Sequence, residues 1–243
     1  MNKVALVTGS SQGIGRSTIL EFAKNNYNVV ITYKSNKEKA LELEQLIQKE
    51  YKVDTLVINL DISSETSIKE CINKVIDKFK TIDVLVNNAG IAIDTEYNDK
   101  TKDNFMKILE VNTIGTFLMC KYVSPYMLKE KKGSIINISS TNGIDTTYIE
   151  SLDYDASKAG VISLSRNLAK QYAPYIRVNT ICPGWVDTPM NSDLDEEFIK
   201  EETDKIFLKR FAKPEEIAKV IYFISSDDAS YINNSIIRID GGY

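Results

Sequence analysis

The chain has 243 residues, of which 43% are hydrophobic and 26% charged, as is typical of a soluble globular protein. Its net charge of -4, without a basic block, argues against nucleic acid or an anionic membrane surface as the main partner. The absence of histidine excludes Ser-His-Asp and Cys-His hydrolases, and the three distant cysteines, Cys71, Cys120 and Cys182, predict neither a metal site nor a disulfide framework.

Short β-branched apolar runs alternate along the chain with longer amphipathic stretches. The runs predict strands at 4–8, 28–33, 53–60, 82–88, 133–139, 176–181 and 235–239. The stretches predict helices near 13–26, 36–50, 64–79, 101–130, 153–173 and 214–226. Strands that alternate with helices and are apolar on both faces form a parallel sheet with helices on both sides. We therefore expect one α/β domain over 1–243, a doubly wound, seven-stranded parallel sheet.

Residues 184–213 form the longest stretch without a predicted strand and are rich in Asp, Glu and Lys. We expect a polar insertion over one end of the sheet, serving as a substrate loop or lid. The apolar start of the chain is too short for a signal peptide, and no apolar run is long enough to span a membrane. These features predict a cytoplasmic protein.

A glycine-rich turn, Thr8-Gly9-Ser-Ser-Gln-Gly13-Ile14-Gly15, joins the first predicted strand to the first helix. Its glycines permit a tight turn, close approach of the backbone to a pyrophosphate and close packing of the helix on the strand. The helix N-terminus then offers free N–H groups to the phosphates. Because the motif closes the first strand of a βαβ pattern, it favours a dinucleotide site over an ordinary strand-to-helix turn.

The end of the second predicted strand bears on which dinucleotide binds. It reads Thr32-Tyr33-Lys34-Ser35-Asn36, without the acidic residue that would hold the ribose hydroxyls of NAD. A lysine stands where a 2′-phosphate needs a cation, so Lys34 favours NADP(H) over NAD(H). The alternative is that Lys34 is only a solvated charge at a strand end.

Further motifs follow the later strands: Asp61-Ile62, Asn87-Asn88-Ala89-Gly90, Ile138-Ser139-Ser140, and Pro183-Gly184 with Thr188. Residues 152–160, LDYDASKAG, add Tyr154 and Lys158 at the start of a predicted helix. In this order, and with the glycine turn, these motifs resemble the classical short-chain dehydrogenase/reductase family over essentially the whole chain. The resemblance implies a single-domain Rossmann fold and an NAD(P)-dependent oxidoreductase that acts on CH-OH groups.

The resemblance also implies which residues contact the dinucleotide in addition to Lys34. They are Gly9, Ser11, Gln12, Gly13, Ile14, Gly15, Asp61, Ile62, Asn88, Gly90, Tyr154, Lys158, Pro183, Gly184, Val186 and Thr188. Asp61 is expected at the adenine edge, and the alternative is that Asp61 caps a helix.

Without histidine, proton transfer points to Tyr154 and Lys158, which lie one turn apart on one face of the predicted helix. An ordinary tyrosine has a pKa near 10, and an ammonium about 4 Å away lowers it by roughly three units before any opposing desolvation. We therefore expect Tyr154 to titrate near neutrality. The alternative is a half-buried tyrosine with Lys158 extending along it toward solvent. A second Tyr-x-x-x-Lys pair, Tyr33 and Lys37, straddles a strand end and does not share a helix face.

By the family resemblance, Tyr154 donates a proton to a substrate carbonyl as hydride arrives from the nicotinamide, and Ser140 hydrogen-bonds the same oxygen. Lys158 lowers the tyrosine pKa and binds the nicotinamide ribose. Asn112 matches the family asparagine that holds a water for proton relay, with bracing of helix 101–130 as its alternative role. Ser139 and Thr141 stay open as substitutes for Ser140, because the spacing to Tyr154 is one residue longer than expected.

Within the family, the likeness is to bacterial 3-oxoacyl-acyl-carrier-protein reductases, NADPH-dependent enzymes of fatty acid biosynthesis. Lys129, Lys131 and Lys132 precede the fifth strand, where such enzymes attract the acidic carrier protein, but Ala173-Pro174-Tyr175 occupies the second basic position. A reductase of a sugar, polyol or other small hydroxy compound is the alternative, and a non-catalytic dinucleotide sensor is the alternative of another class. A homotetramer packed through the helices at 101–130 and 153–173 is implied by the resemblance alone.

Overall fold

The computed structural model describes residues 2–243. The strands are β1 (Val4–Val7), β2 (Asn28–Tyr33), β3 (Thr55–Asn59), β4 (Val84–Asn87), β5 (Gly133–Ile138), β6 (Ile176–Pro183) and β7 (Ile236–Ile239). The α-helices are α1 (Gly13–Lys24), α2 (Lys37–Glu50), α3 (Glu65–Phe79), α4 (Lys102–Leu109), α5 (Thr116–Lys129), α6 (Leu152–Tyr172), α7 (Glu196–Lys205) and α8 (Pro214–Ser225). None of the helices within residues 2–243 is both long enough and apolar enough to cross a membrane.

The strands form one sheet of seven, in the order β3-β2-β1-β4-β5-β6-β7, and every neighbouring pair is parallel. The predicted doubly wound α/β fold is therefore confirmed. The winding direction reverses between β1 and β4, which are neighbours although they are far apart in the chain. Loops that leave two such strands run in opposite directions and open a crevice at the carboxyl edge of the sheet.

Alternation along β1 shows how the sheet builds two cores. Val4 and Leu6 pack into a cluster with α3, α5 and α6, whereas Ala5 and Val7 pack into a second cluster with α1, α2 and α8. Successive strand residues point to opposite faces, so both faces of a doubly covered strand must be apolar. All four residues of β1 are buried, as this arrangement requires.

Two parts of the predicted pattern differ in detail. The helix predicted over 101–130 is interrupted by a π-helical segment, Glu110–Gly115, where the carbonyl of Asn112 accepts a hydrogen bond from Thr116 Oγ1 at 2.7 Å. The insertion at 184–213 contains α7, and its two ends pair through Val186 and Ala212. Helical spacing taken over the whole stretch did not reveal this i→i+5 widening, because it is confined to a short segment between two α-helices.

Candidate active site

Glycines of the turn after β1 stand where the backbone conformation or close packing opposes a side chain. Gly9 and Gly13 have φ of +63° and +56°, a backbone conformation that favours glycine. A Cβ on Gly9 would lie 3.0 Å from Ala89 Cα, and a Cβ on Gly15 would lie 2.6 Å from both Asn88 Nδ2 and the Gly9 carbonyl oxygen. The turn therefore leaves bare backbone at the carboxyl edge, which is the cradle that a pyrophosphate needs.

The N-terminus of α1 is open to an anion. Gln12 is the N-cap residue but makes no side-chain hydrogen bond to the helix, and the first turn holds no acidic residue. The Gln12 amide oxygen instead accepts from Asn36 and Lys39, each at 3.3 Å. Ser11 is buried beside this turn and Ile14 is partly buried. The uncapped N–H groups and the helix dipole favour a phosphate at this position.

Asn88 connects the glycine turn to the end of β4. Its side-chain Nδ2 donates to the carbonyl oxygens of Thr8 at 2.9 Å and Gly9 at 3.2 Å. Its backbone N–H and that of Ala89 both donate to Thr8 Oγ1. These bonds hold the two strand ends on either side of the crevice in one arrangement, and contact of Asn88 with a cofactor stays a prediction.

Lys34 and Asp61 meet at the ends of β2 and β3. Lys34 Nζ lies 2.7 Å from Asp61 Oδ2, and Asp61 Oδ1 accepts from the backbone and side chain of Ser63. Burial opposes ionisation of Asp61, but the bonds from Lys34 and Ser63 outweigh it and hold the pKa of this carboxyl below its ordinary value. The side chain of Ser64, not Asp61, caps α3, so the helix-cap alternative for Asp61 is wrong. Ile62 is buried directly after Asp61.

Ser140, Tyr154 and Lys158 come together where β5 faces the first turns of α6. The Ser140 hydroxyl interacts with the Tyr154 hydroxyl, and Lys158 Nζ lies 5.4 Å from the centroid of the Tyr154 ring. Lys158 is only 4% exposed, and its ammonium donates to the Ile138 carbonyl oxygen at 3.0 Å. Tyr154 and Lys158 therefore lie together as predicted for one helix face, and Ser140, at the end of the neighbouring strand, is next to the Tyr154 hydroxyl.

The expected fall in the pKa of Tyr154 toward neutrality is wrong for the chain alone. The pKa of Tyr154 is raised to about 12, chiefly by burial and also by the charges of Asp155 and Asp94, against a lowering by Ser140. Burial also lowers the pKa of Lys158 to about 8. The ammonium is directed at the Ile138 carbonyl rather than the phenol oxygen, so desolvation outweighs attraction. At neutral pH Tyr154 is a protonated phenol, which is the form that donates a proton.

The structure distinguishes between the neighbouring serines. Ser139 Oγ donates to the Lys158 carbonyl oxygen at 2.8 Å and is committed to holding α6. Ser140 lies on the other side of the strand end, beside the Tyr154 hydroxyl. Thr141 is buried in the short 3-10 turn that follows. The geometry therefore places Ser140, rather than Ser139 or Thr141, next to the phenol.

Asn112 braces the elements around Gly90. Its Oδ1 accepts from the Ile91 backbone N–H at 2.8 Å, and its Nδ2 donates to the Ile91 carbonyl oxygen and to Ser157 Oγ. A Cβ on Gly90 would lie 3.1 Å from Asn112 Oδ1 and 3.4 Å from Lys158 Nζ. These contacts support the bracing role directly, while a water relay through Asn112 stays a prediction.

The end of β6 lies against the chain terminus, and the insertion passes over the glycine turn. Pro183 pairs with β7, and a Cβ on Gly184 would lie 2.7 Å from Asp240 Cβ. A Cβ on Gly13 would lie 3.5 Å from Thr188 Cβ, so Thr188 contacts the mouth of the phosphate cradle. All of the predicted cofactor residues thus lie along the carboxyl edge of the sheet.

Comparison with known proteins places the chain in a family. A family model described as Enoyl-(Acyl carrier protein) reductase matches residues 9–243. The 3-oxoacyl-(acyl-carrier-protein) reductase FabG of Thermotoga maritima is 40% identical over 245 aligned positions, which cover 99% of this chain and 97% of the relative. The chain belongs to the short-chain dehydrogenase/reductase family.

Other members of the short-chain dehydrogenase/reductase family are similar over the same length. The FabG reductase of Staphylococcus epidermidis is 36% identical over 243 residues, covering 100% of this chain and 99% of the relative. The solved structure of acetoin dehydrogenase YohF from Salmonella typhimurium has a TM-score of 0.90 and 31% identity, covering 100% of this chain and 96% of that one. The chain is therefore an oxidoreductase of CH-OH groups, in a family that uses nicotinamide dinucleotides.

The insertion of this short-chain dehydrogenase/reductase is held down by a carboxylate that no sequence pattern indicates. Glu202 on α7 is 1% exposed and accepts from Trp185 Nε1 at 2.9 Å and Tyr148 Oη at 2.5 Å, as well as from Tyr243 and Lys205. Burial opposes its ionisation, but these donors keep its pKa below the ordinary value. In the sequence Glu202 is one of several acids on a polar helix, so its burial was not predictable.

The site can therefore perform two separate tasks. One part of the carboxyl edge offers bare backbone and an uncapped helix N-terminus, which fit the phosphates of a nicotinamide dinucleotide. The other part places a protonated phenol beside a serine hydroxyl, with a buried lysine on the ring face. A dinucleotide bound here would supply or accept hydride, and Tyr154 would exchange the accompanying proton.

Proposed function

We propose that this protein reduces the ketone of a 3-oxoacyl thioester to a hydroxyl with NADPH, as a 3-oxoacyl-acyl-carrier-protein reductase. The observation that carries the proposal is the meeting of Ser140, Tyr154 and Lys158 beside the glycine cradle. Similarity over the full chain to reductases of that name supports the substrate class. The glycine cradle would hold the dinucleotide, which would supply the hydride for the carbonyl carbon.

The chain's own residues manage the carbonyl oxygen. Tyr154 holds its proton at neutral pH, since its pKa of about 12 lies far above 7, so it can donate that proton as negative charge develops on the oxygen. Ser140 lies beside the same hydroxyl, and its proton, which is directed at Asn142 Oδ1 before a substrate binds, would turn to the carbonyl oxygen and stabilise the charge by hydrogen bonding. The Lys158 ammonium lies against the Tyr154 ring and is held there by the Ile138 carbonyl oxygen. From this position it can contact a ribose and stabilise the phenolate that Tyr154 becomes after it gives up its proton.

A preference for NADPH over NADH is supported by Lys34 and its surroundings. Lys34 and Lys39 both lie near the open end of β2, and the side chain of Lys34 is 64% exposed. The last residues of β2 include no carboxylate that would repel a 2′-phosphate. Lys34 is paired with Asp61 but stays exposed, so its ammonium would reach a phosphate by leaving this ion pair.

Replacing Lys34 with glutamate is expected to reverse the cofactor preference. The new carboxylate repels a 2′-phosphate and can accept from ribose hydroxyls, so KM for NADPH should rise by about tenfold or more while KM for NADH changes little. Steady-state kinetics with both cofactors measure this. Lys49→Glu, the same charge change in the last turn of α2, is the control and should leave both KM values unchanged. Unaltered discrimination in Lys34→Glu would exclude Lys34 as the determinant.

A second substrate class is favoured by the charges near Tyr154. Asp94 and Asp155 act on the Tyr154 phenol, and Glu150 lies near Asp94. The basic residues expected to attract a carrier protein precede β5 at the amino edge of the sheet, whereas Tyr154 lies at the carboxyl edge. These carboxylates suit a hydroxylated ketone, whose hydroxyl groups can donate hydrogen bonds to them. A reductase of a small hydroxy ketone or sugar is therefore the second candidate.

A substrate panel separates the two candidates. The purified protein is given NADPH or NADH with an acetoacetyl thioester, acetoin-type hydroxy ketones and keto sugars, and cofactor oxidation is followed. The proposal expects kcat/KM for the thioester to exceed that for every hydroxy ketone by about a hundredfold. A preference for a hydroxylated substrate would reject the acyl thioester and support the second candidate.

Quaternary structure is proposed from exposed apolar side chains on the long helices. Met106 on α4, Ile114 in the π segment, and Phe117 and Leu128 on α5 are each at least 37% exposed. Burial of such a face stabilises oligomers. We include a homotetramer packed through α4, α5 and α6 in the proposal.

A further inference from the structure

The hydroxyl of Ser140 is held by a residue with no part in the predicted site. Ser140 Oγ donates to Asn142 Oδ1 at 3.1 Å, and the backbone N–H of Asn142 donates back to Ser140 Oγ at 3.2 Å. Asn142 belongs to the short 3-10 turn Thr141–Gly143 that follows β5. The catalytic serine therefore has two local partners, one from the Asn142 backbone and one from the Asn142 side chain.

The orientation of the Asn142 amide is determined by Asp155. Asn142 Nδ2 donates to Asp155 Oδ1 at 2.7 Å. A carboxylate only accepts hydrogen bonds, so the amide must turn its NH2 group toward Asp155 and its oxygen toward Ser140. Before a substrate binds, the proton of Ser140 is thereby directed at Asn142 Oδ1, while the Asn142 N–H keeps Oγ in place beside the Tyr154 hydroxyl.

Packing keeps this turn close to α6. A Cβ on Gly143 would lie 2.7 Å from the Lys158 carbonyl carbon and 2.8 Å from Ser139 Oγ, so the turn is pressed against the helix that carries Tyr154. Asp155 also accepts from Ser151 Oγ at 3.1 Å and from the Tyr148 backbone N–H at 3.3 Å. One carboxylate thus joins the serine turn to the loop that precedes α6.

We propose that Asn142 and Asp155 are positioning residues that hold the Ser140 hydroxyl beside Tyr154. The proposal rests on the proposed function, since Ser140 is taken to act on a carbonyl oxygen. Loss of the Asn142 side chain leaves Ser140 Oγ with one anchor and frees its rotation. Catalytic groups lose rate when they move by fractions of an ångström, so this rotation lowers turnover without removing any group that binds the substrate.

Single and double substitutions test whether Asn142 and Asp155 act through Ser140. Asn142→Ala is expected to lower kcat about tenfold with KM changed by less than about twofold. In a Ser140→Ala background the same substitution should change kcat by less than about twofold, because its effect passes through Ser140. Asp155→Ala should resemble Asn142→Ala, whereas Asp155→Asn, which retains an acceptor for Asn142 Nδ2, should restore most of the rate.

Ser151→Ala is the matched control, because it removes another hydrogen bond to the same carboxylate and leaves the bonds of Asn142 to Ser140 in place. It should keep kcat within about twofold of the wild type. Two results would overturn the positioning role of Asn142. One is that Asn142→Ala lowers kcat equally with and without Ser140, and the other is that Ser151→Ala lowers kcat as much as Asn142→Ala does.

A second measurement does not depend on turnover. Thermal unfolding of the wild type, Ser140→Ala, Asn142→Ala and the double variant should be non-additive by about 2 °C, as expected for one shared hydrogen bond in a chain of this size. If the wild type reduces no carbonyl substrate, the proposed function fails, and the unfolding temperatures of these four proteins alone test whether Asn142 holds Ser140. Additive shifts would then reject it.

Discussion

Tyr154→Phe is expected to abolish carbonyl reduction and to leave dinucleotide binding intact. The substitution removes only the phenol oxygen, which lies beside Ser140, and the chain has no histidine to replace it. Loss of a positioned general acid lowers rates by about 10²–10⁴-fold, so kcat should fall by about three orders of magnitude. Cofactor oxidation with the preferred substrate measures the rate, and nucleotide fluorescence titration measures binding.

Tyr33→Phe is the matched control, because Tyr33 belongs to the other Tyr-x-x-x-Lys pair of the chain. Tyr33 ends β2 and Lys37 begins α2, so no helix joins them. This variant should keep kcat within about twofold of the wild type. A Tyr154→Phe protein that retains a third of the wild-type rate would show that another group donates the proton.

Lys158→Met is expected to inactivate the enzyme and yet to stabilise its fold at neutral pH. Lys158 is 4% exposed, and burial lowers its pKa from 10.5 to about 8, so charging it in the folded state is costly. That shift corresponds to about 3 kcal/mol at pH 7, less about 1 kcal/mol for the hydrogen bond to the Ile138 carbonyl. The net gain in the free energy of unfolding should be about 2 kcal/mol.

The gain should depend on pH with a definite sign. The folded-state pKa is the lower one, so between about pH 8 and 10.5 the unfolded chain binds more protons and wild-type stability from this group rises with pH. The advantage of Lys158→Met should therefore shrink nearly to zero by about pH 9.5. Urea unfolding at both pH values measures it. Lys170→Met, at an exposed position of the same helix, should show no such trend, and a Lys158→Met protein less stable at pH 7 would contradict the argument.

Most of the architecture could be predicted from the chain itself. Apolar β-branched runs alternate with amphipathic ones, and strands apolar on both faces admit only a sheet covered on both sides. Because parallel strands end at one edge, motifs that follow β1, β3, β4, β5 and β6 had to meet there. The glycine turn, the serine pair after β5 and Tyr154 were placed at this edge in this way, whereas the choice of Ser140 over Ser139 came from the family resemblance.

Contacts between side chains could not be predicted from the same patterns. Whether Ser139 or Ser140 faces Tyr154 depends on the twist of a single strand end, and the pairing of Lys34 with Asp61 depends on two neighbouring loops. Glu202 is a surface residue by sequence and the anchor of the insertion by structure. Such contacts join positions far apart in the chain, and periodicity carries no information about them.

The sequence by itself determined the order of the elements, the parallel sheet, the edge that holds the chemistry, and the need for a proton donor other than histidine. Only the tertiary structure decided the electrostatic state of that donor. Tyr154 and Lys158 are one helical turn apart in either case, but burial of both groups and the direction of the ammonium reverse the expected pKa shift. Spacing determines proximity, whereas desolvation depends on everything packed around the pair.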